Sequence, residues 1–325
     1  MNKITIREVA KVAGVSVSTV SQVFNNYTAI SQATRDRVKQ VATELGYAPN
    51  LAARSLAAKK KKTIALVLNE INVVRGVAMP LEILNGVIEM LDETDYEFVF
   101  YATNLKKQQE KSLAHFLNEH ALAGVIIQGL KTSDPYYQEL KTINFPVVII
   151  DMEIENPKIG KVSIDNEQAC FEVGERLKQA GHLRVCFVNG SKDAAVSQER
   201  EVGIRKSLPD VEVVYANFSE KEAYEWAMVF GQIEKFSAIF AASDLMAIGI
   251  IKALKNRGLE DKIALIGFDD ITLASYVSPT LTTVRQDATE KARQATDNLI
   301  HQIEQGEVKN SVQPYEIIVR ESAEI

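Results

Sequence analysis

Cysteine is almost missing from this chain. Its 325 residues include only Cys170 and Cys186, each in an apolar segment and without CxxC spacing, so buried thiols are expected rather than a disulfide framework or a thiolate metal site. Histidine is nearly as scarce: His115, His120, His182 and His301 are scattered without metal-ligand spacing and read as surface or packing residues, with no metal expected. With 16 Gly and 8 Pro beside 46% hydrophobic and 25% charged residues, the chain is neither collagen-like nor disordered. Long apolar runs are absent too. Residues 64–68 and 146–150 are among the longest, far short of the roughly 20 residues that cross a bilayer, and the first nine residues are too polar for a signal peptide. A cytoplasmic protein with no membrane partner is expected. The chain also lacks a GxxxxGKS/T phosphate loop, a GxGxxG after its first strand candidate and a GxSxG nucleophile elbow. No catalytic residue and no cofactor are therefore nominated.

What is present begins with charge. At about 100 to 200 residues per domain, this length implies two or three domains, and the net charge of −6 is divided unevenly between them. Residues 1–62 carry eleven Lys/Arg against three Asp/Glu, a net of +8, while residues 63–325 carry twenty-six against forty, a net of −14. Phosphates repel a uniformly acidic protein, so a small basic head on an acidic body points to a polyanionic partner for the head alone.

Within the head, Thr5-x-x-Glu8 is a capping-box pattern, and Ile6, Val9, Ala10 and Ala13 follow with helical spacing. Gly14 breaks this helix. Ser16 is placed to cap a second one, with Val20, Val23 and Phe24 turned toward the first, and the short joint matches a helix-turn-helix. Ser31 opens a third helix with Val38, Val41, Ala42 and Leu45 inward and Gly46 as its stop. The outer face of the second helix carries Val17, Ser18, Ser21 and Gln22, short side chains suited to base edges in a major groove.

Residues 5–25, TIREVAKVAGVSVSTVSQVFN, and residues 46–56, GYAPNLAARSL, resemble the headpiece and hinge of the LacI/GalR bacterial transcription regulators. The resemblance implies DNA contacts from Thr5, Ser16, Val17, Ser18, Thr19, Ser21, Gln22 and Asn25. It also implies a hinge containing Asn50, Ala53 and Leu56 that becomes helical on operator DNA, with Leu56 wedged into the minor groove. The family usually has Arg where this chain has Gln22; Arg favours guanine and Gln adenine, so a different operator preference is expected there. The lysines at 59–62 have two open readings, a solvated linker or a source of nonspecific phosphate attraction.

From residue 63 onward, apolar runs at 64–68, 97–102, 124–127, 147–150, 185–188, 211–215, 238–241 and 264–266 alternate with helical patterns. Continuous apolar strands separated by helices predict doubly wound parallel sheets covered on both faces. The runs fall before and after about residue 160, which suggests two similar lobes. Ligands bind beyond the carboxyl ends of such strands, where the chain places Asn69, Asp151, Phe218, Ser243, Asp244, Asp269 and Asp270, with Arg200-x-x-Gly203 opening a helix after the 185–188 run. Carboxylates and an arginine chelate adjacent hydroxyls, and an aromatic ring covers the apolar face of a sugar.

The resemblance continues to about residue 320 and implies a periplasmic-binding-protein-like core with chain crossovers between its lobes. It places effector contacts at Asn69, Asp151, Arg200, Phe218, Ser243, Asp269 and Gln286, and makes Asp244 part of a structural Asn–Asp pair in which Ser243 replaces the usual Asn. Residues 266–270, IGFDD, and 278–284, SPTLTTV, match as well; Gly267 allows close backbone approach and Pro279 ends a helical or loop segment.

These readings predict an α/β chain with an all-α helix-turn-helix headpiece at 1–49, a hinge helix and linker at 50–62, and a two-lobed effector-binding and dimerisation core at 63–325. The expected function is repression of sugar-utilisation genes by a homodimer on a pseudo-palindromic double-stranded operator, controlled by a small sugar or sugar-phosphate between the lobes. Two alternatives stay open. One is control by a protein corepressor, as in relatives docked by a phosphorylated carrier protein; the other, with less support, is a sugar-modifying enzyme carrying a DNA-binding head.

Overall fold

The computed structural model describes residues 4–24, 30–45, 47, 63–70 and 78–325. The chain divides into two compact units, Met1–Lys61 and Lys62–Ile325.

The first unit contains α1 (Ile6–Ala13), α2 (Val17–Phe24) and α3 (Gln32–Glu44). At the start of α1 the Thr5 backbone N–H and hydroxyl both donate to one Glu8 carboxylate oxygen, at 2.7 and 2.9 Å, the reciprocal half of a capping box. Gly14 ends this helix at φ +63°, a left-handed conformation that side chains resist. Ser16 caps α2 by accepting from the Thr19 N–H at 3.0 Å, and Ser31 caps α3 through the Thr34 N–H at 3.4 Å. Val9, Ala13, Val20, Val23 and Val38 are fully buried between the three helices, as their spacing predicted.

The second unit is two lobes, each built on a six-stranded sheet. In the first lobe β1 (Thr63–Asn69), β2 (Glu97–Thr103), β3 (Gly124–Gln128), β4 (Val147–Ile150), β5 (Ile159–Ile164) and β11 (Ser311–Gln313) pair in the order β11-β5-β4-β3-β1-β2, all parallel. Alternation along β1 explains its uninterrupted apolar run: Ile64, Leu66 and Leu68 pack into one core layer and Ala65 and Val67 into the other, because a parallel strand is covered on both faces. The first layer is closed by α4 (Ala78–Leu91) and α12 (Ala288–Gln305), the second by α6 (Leu113–Glu119) and α7 (Pro135–Leu140), with α5 (Leu105–Glu110) beside α7.

The second lobe repeats the plan. Its strands are β6 (Val185–Asn189), β7 (Glu212–Tyr215), β8 (Ala238–Ala241), β9 (Ala264–Asp269), β10 (Thr282–Gln286) and β12 (Tyr315–Ile318), in the order β12-β10-β9-β8-β6-β7 with only the β10–β12 pair antiparallel. The helices α8 (Asn166–Gln179), α9 (Ala195–Ser207), α10 (Glu220–Val229) and α11 (Asp244–Arg257) cover this sheet. Cys170 and Cys186 are buried here as free thiols, and burial pushes the Cys170 thiol up to about 12.

All eight expected strands are present, four in each sheet on either side of about residue 160, and the expected crossovers take definite positions. The chain crosses to the second lobe after β5, returns after β10 to build α12, and crosses again between β11 and β12. Two crossovers end on aspartates that cap the next helix: Asp165 accepts from the Gln168 N–H and Asp287 from the Glu290 N–H, both at 2.8 Å. Arg200 is corrected, since α9 begins at Ala195 and Arg200 stands in its second turn rather than opening it.

Candidate functional site

A cavity of about 250 Å³ lies where the strand carboxyl ends of the two lobes face each other. In each sheet the strand order reverses beside it, at β1/β3 and at β6/β8, the position where doubly wound sheets leave a crevice. Asn69, Asp151, Arg200, Phe218, Ser243, Asp269 and Gln286 all line this one cavity. The backbone around it is strained: Glu70, Asp151, Asn217, Phe218, Asp269 and Asp270 have φ between +51° and +118°, a region non-glycine residues enter rarely and chiefly at functional sites.

The seven residues do different work. Arg200 is 3% exposed; its Nε donates to Asn166 Oδ1 at 2.9 Å and its Nη1 to the Ala242 carbonyl at 2.6 Å, with the guanidinium 3.6 Å above the Phe268 ring. Asp269 is half-buried, and desolvation pushes its carboxyl up to about 6 against the opposing pull of Arg200, the Gln286 hydrogen bond and Lys291. Phe218 places its ring where a Cβ on Gly190 would stand, at 2.0 Å, so only glycine at 190 leaves room for it. The amide of Asn69 is engaged inside the first lobe, donating to the Gly129 carbonyl and to Asp134 and accepting from Gln108. It thus lines the cavity while organising the loop beneath it. Ser243 caps α11 through the Met246 N–H at 3.3 Å.

Asp244 and Asp270 point away from the cavity's chemistry. Asp244 is fully buried, accepts from the Thr283 hydroxyl at 2.6 Å and the Ile271 N–H at 2.9 Å, and burial followed by the nearby Asp269 charge pushes its carboxyl well up. A Cβ on Gly267 would stand 2.1 Å from Asp244 Oδ1, which is the close approach expected of that glycine. Asp270 instead pairs with Arg285 and Arg320, both at 2.7 Å, so the two adjacent carboxylates diverge.

Several site features escaped the sequence reading. Lys291 of α12 is fully buried behind the cavity and donates to Asp151 Oδ2 at 2.6 Å and Gln286 Oε1 at 2.8 Å. A clasp joins the lobes at one side: the Thr132 N–H donates to the Asp193 carbonyl at 2.9 Å and the Ser133 hydroxyl to Asp193 Oδ2 at 2.7 Å. Lys131 pairs with Glu70 at 2.8 Å. Helix periodicity would have flagged Lys291, which sits three residues after Ala288 and four before Ala295 on the buried stripe of α12. Among the described residues no group of His, Cys, Asp and Glu is placed to hold a metal ion, and no helix is long and apolar enough to cross a membrane.

The first unit presents its own candidate surface. On α2, Val17, Ser18 and Gln22 are exposed, Thr19 and Ser21 half-buried. The Ser16 hydroxyl shares hydrogen bonds with those of Ser18 and Thr19, at 2.7 and 2.8 Å, and Thr5 and Ser16 sit at the helix starts. Asn25, Asn50, Ala53 and Leu56, together with Gly46 and the lysines at 59–62, lie outside the described residues.

Residues 5–50 match the family described as bacterial regulatory proteins, lacI family, and residues 175–323 match a periplasmic binding protein-like domain. The chain is 32% identical to the HTH-type transcriptional regulator AscG of Escherichia coli (strain K12) over 93% of both chains. It is 31% identical to the regulator CelR of Thermobifida fusca over 98% of both. The chain belongs to the LacI family. Among solved members, a CelR–cellobiose complex aligns over 99% of this chain and 100% of its own at 29% identity and a TM-score of 0.73. A lac repressor dimer bound to operator and the anti-inducer ONPF aligns over 99% of both chains at 25% identity and a TM-score of 0.86. LacI-family relatives are DNA-binding transcriptional regulators, and this chain is one of them.

Proposed function

We propose that this regulator is a homodimeric repressor whose hold on a pseudo-palindromic operator is controlled by a small sugar bound between the lobes of its core. The observation that carries the reading is the convergence of Asp151, Arg200, Phe218 and Asp269 on one interlobe cavity. Carboxylates and a guanidinium bind adjacent hydroxyls, and the ring takes an apolar sugar face. The cellobiose held by the CelR structure supports the same class of ligand. A bridging ligand favours the closed arrangement only through contacts with both lobes, and these residues come from both.

On the DNA side, Val17, Ser18 and Gln22 of α2 are the proposed base readers, with Thr5, Ser16, Thr19, Ser21 and Asn25 positioning the headpiece on phosphates and Asn50, Ala53 and Leu56 acting from a hinge at 50–62. Two half-sites one helical turn apart match a two-fold dimer. A thermal-shift screen of the full-length protein against sugars tests the ligand class. A true effector at 100 times its Kd adds about 2.7 kcal/mol of stability, whereas a screen in which no sugar raises the melting temperature refutes it.

A further inference from the structure

Lys291 has no solvent exposure, yet it lies directly behind the cavity wall. It neutralises Asp151 through Oδ2 at 2.6 Å and continues through Gln286 Oε1 at 2.8 Å, whose Nε2 donates to Asp269 Oδ1 at 2.6 Å. Asp151 and Lys291 belong to the first lobe, Gln286 and Asp269 to the second, so this buried chain follows the crossover that joins them. Asp151 Oδ1 is closed off from solvent and has no hydrogen-bond partner among the described residues. A buried acceptor left this way is costly until a donor reaches it.

The charges beside the cavity show the same imbalance. The cations there have protein acceptors: Lys131 has Glu70, Lys291 has Asp151, and Arg200 has Asn166 and the Ala242 carbonyl while keeping further N–H donors for a ligand hydroxyl. Open acceptors stand beside them, at Asp151 Oδ1 and on Asp269, which accepts from Gln286 through Oδ1. Resting on the reading that this cavity is the effector site, we propose that Lys291 is a specificity-determining residue that selects an uncharged polyhydroxy effector, an unphosphorylated sugar. It cancels the Asp151 charge from behind and leaves Oδ1 as a spare acceptor that a ligand hydroxyl reaches when the Asp151 side chain, which lines the cavity, turns toward it. A phosphate would set acceptors against acceptors and a like charge beside half-buried carboxylates.

Calorimetry on the full-length protein tests this with matched pairs: glucose, fructose, ribose and cellobiose, each beside its terminal phosphate ester. The expected result is a free sugar that binds at least about 100-fold more tightly than its ester. Asp151→Asn leaves the Lys291 charge unopposed and shifts the sugar-to-ester ratio toward the ester by about 10-fold or more. Lys291→Met leaves the carboxylate unopposed and shifts the ratio the other way, and the double variant Asp151→Asn/Lys291→Met falls between, guarding against misfolding of either single one. A purely structural role would weaken both ligands together and leave the ratio unchanged in all three. An ester that binds the wild-type protein as tightly as its sugar, or a ratio that moves the same way in both single variants, overturns the inference. If such an ester still depends on Arg200, the interlobe site itself stands. Sugar binding that is indifferent to Asp151→Asn, Lys291→Met and Arg200→Ala, or a panel in which nothing binds, overturns the site reading and the inference with it.

Discussion

Replacing Arg200 with alanine separates the stability of the core from its grip on a ligand. In the unliganded protein the change removes a guanidinium that satisfies Asn166 Oδ1 at 2.9 Å and the Ala242 carbonyl at 2.6 Å and that stacks 3.6 Å above the Phe268 ring. It also strips Asp269 of the strongest opposing charge that holds its carboxyl down. Each of these two buried acceptors left unpaired costs about 1 to 3 kcal/mol. Urea melts should therefore show a loss of about 2 to 6 kcal/mol. For the ligand, a hydrogen bond to a charged group is worth about 1.5 to 3 kcal/mol, so sugar affinity by calorimetry should fall roughly 10- to 150-fold. Arg200→Lys keeps the charge but not the planar fork, and should recover stability better than binding. Unchanged sugar affinity in a folded Arg200→Ala protein would refute the assignment.

Three further outcomes follow from the geometry. Asp269 in the folded state titrates near 6, above the roughly 4 of an unfolded aspartate; the native state then holds the proton more tightly, so its contribution rises as pH falls from about 7 toward 4. The ceiling is roughly 3 kcal/mol for a two-unit gap. Asp269→Asn should flatten that part of the stability–pH curve, and a wild-type curve no steeper than the variant's would contradict the burial argument. Gly267→Ala places a Cβ 2.1 Å from Asp244 Oδ1 and 2.8 Å from Leu281, so urea melts should lose about 1 to 3 kcal/mol; a change within 0.5 kcal/mol, roughly that of an ordinary surface substitution, would show that the segment yields freely. Gln22→Arg, on the exposed face of α2, should move a selected binding motif toward guanine at one symmetric position by about 1 to 3 kcal/mol, and an identical motif would remove Gln22 from base reading.

Legibility tracked how locally each feature is written. β4 and β8 were read to the residue because their four positions are wholly apolar and buried, and the strand-end residues followed from them. β5 and β10 escaped because Gly160 and Lys161 interrupt one and Thr282, Thr283 and Arg285 make the other polar; both are nonetheless inside a sheet, where neighbouring strands rather than their own composition supply the pairing. The crossovers have no local signature, so β11, only three residues long, could not be placed in the first lobe in advance. Asp269 was found because it ends β9, and Arg200 because it follows β6 on the next helix. Lys291 was missed because a helical lysine reads as solvated, and its burial depends on Asp151, 140 residues away, closing over it. The clasp at Asp193 is likewise a contact between loops that only the folded lobes bring together.

Sugar binding and operator binding are proposed to be coupled in one molecule, and fluorescence anisotropy on a selected operator duplex measures that coupling directly. With the sugar at 100 times its Kd, operator affinity should fall about 5- to 150-fold, matching a coupling of about 1 to 3 kcal/mol, and saturating operator should weaken sugar binding by the same factor. An operator affinity that does not move at that sugar concentration would contradict the account.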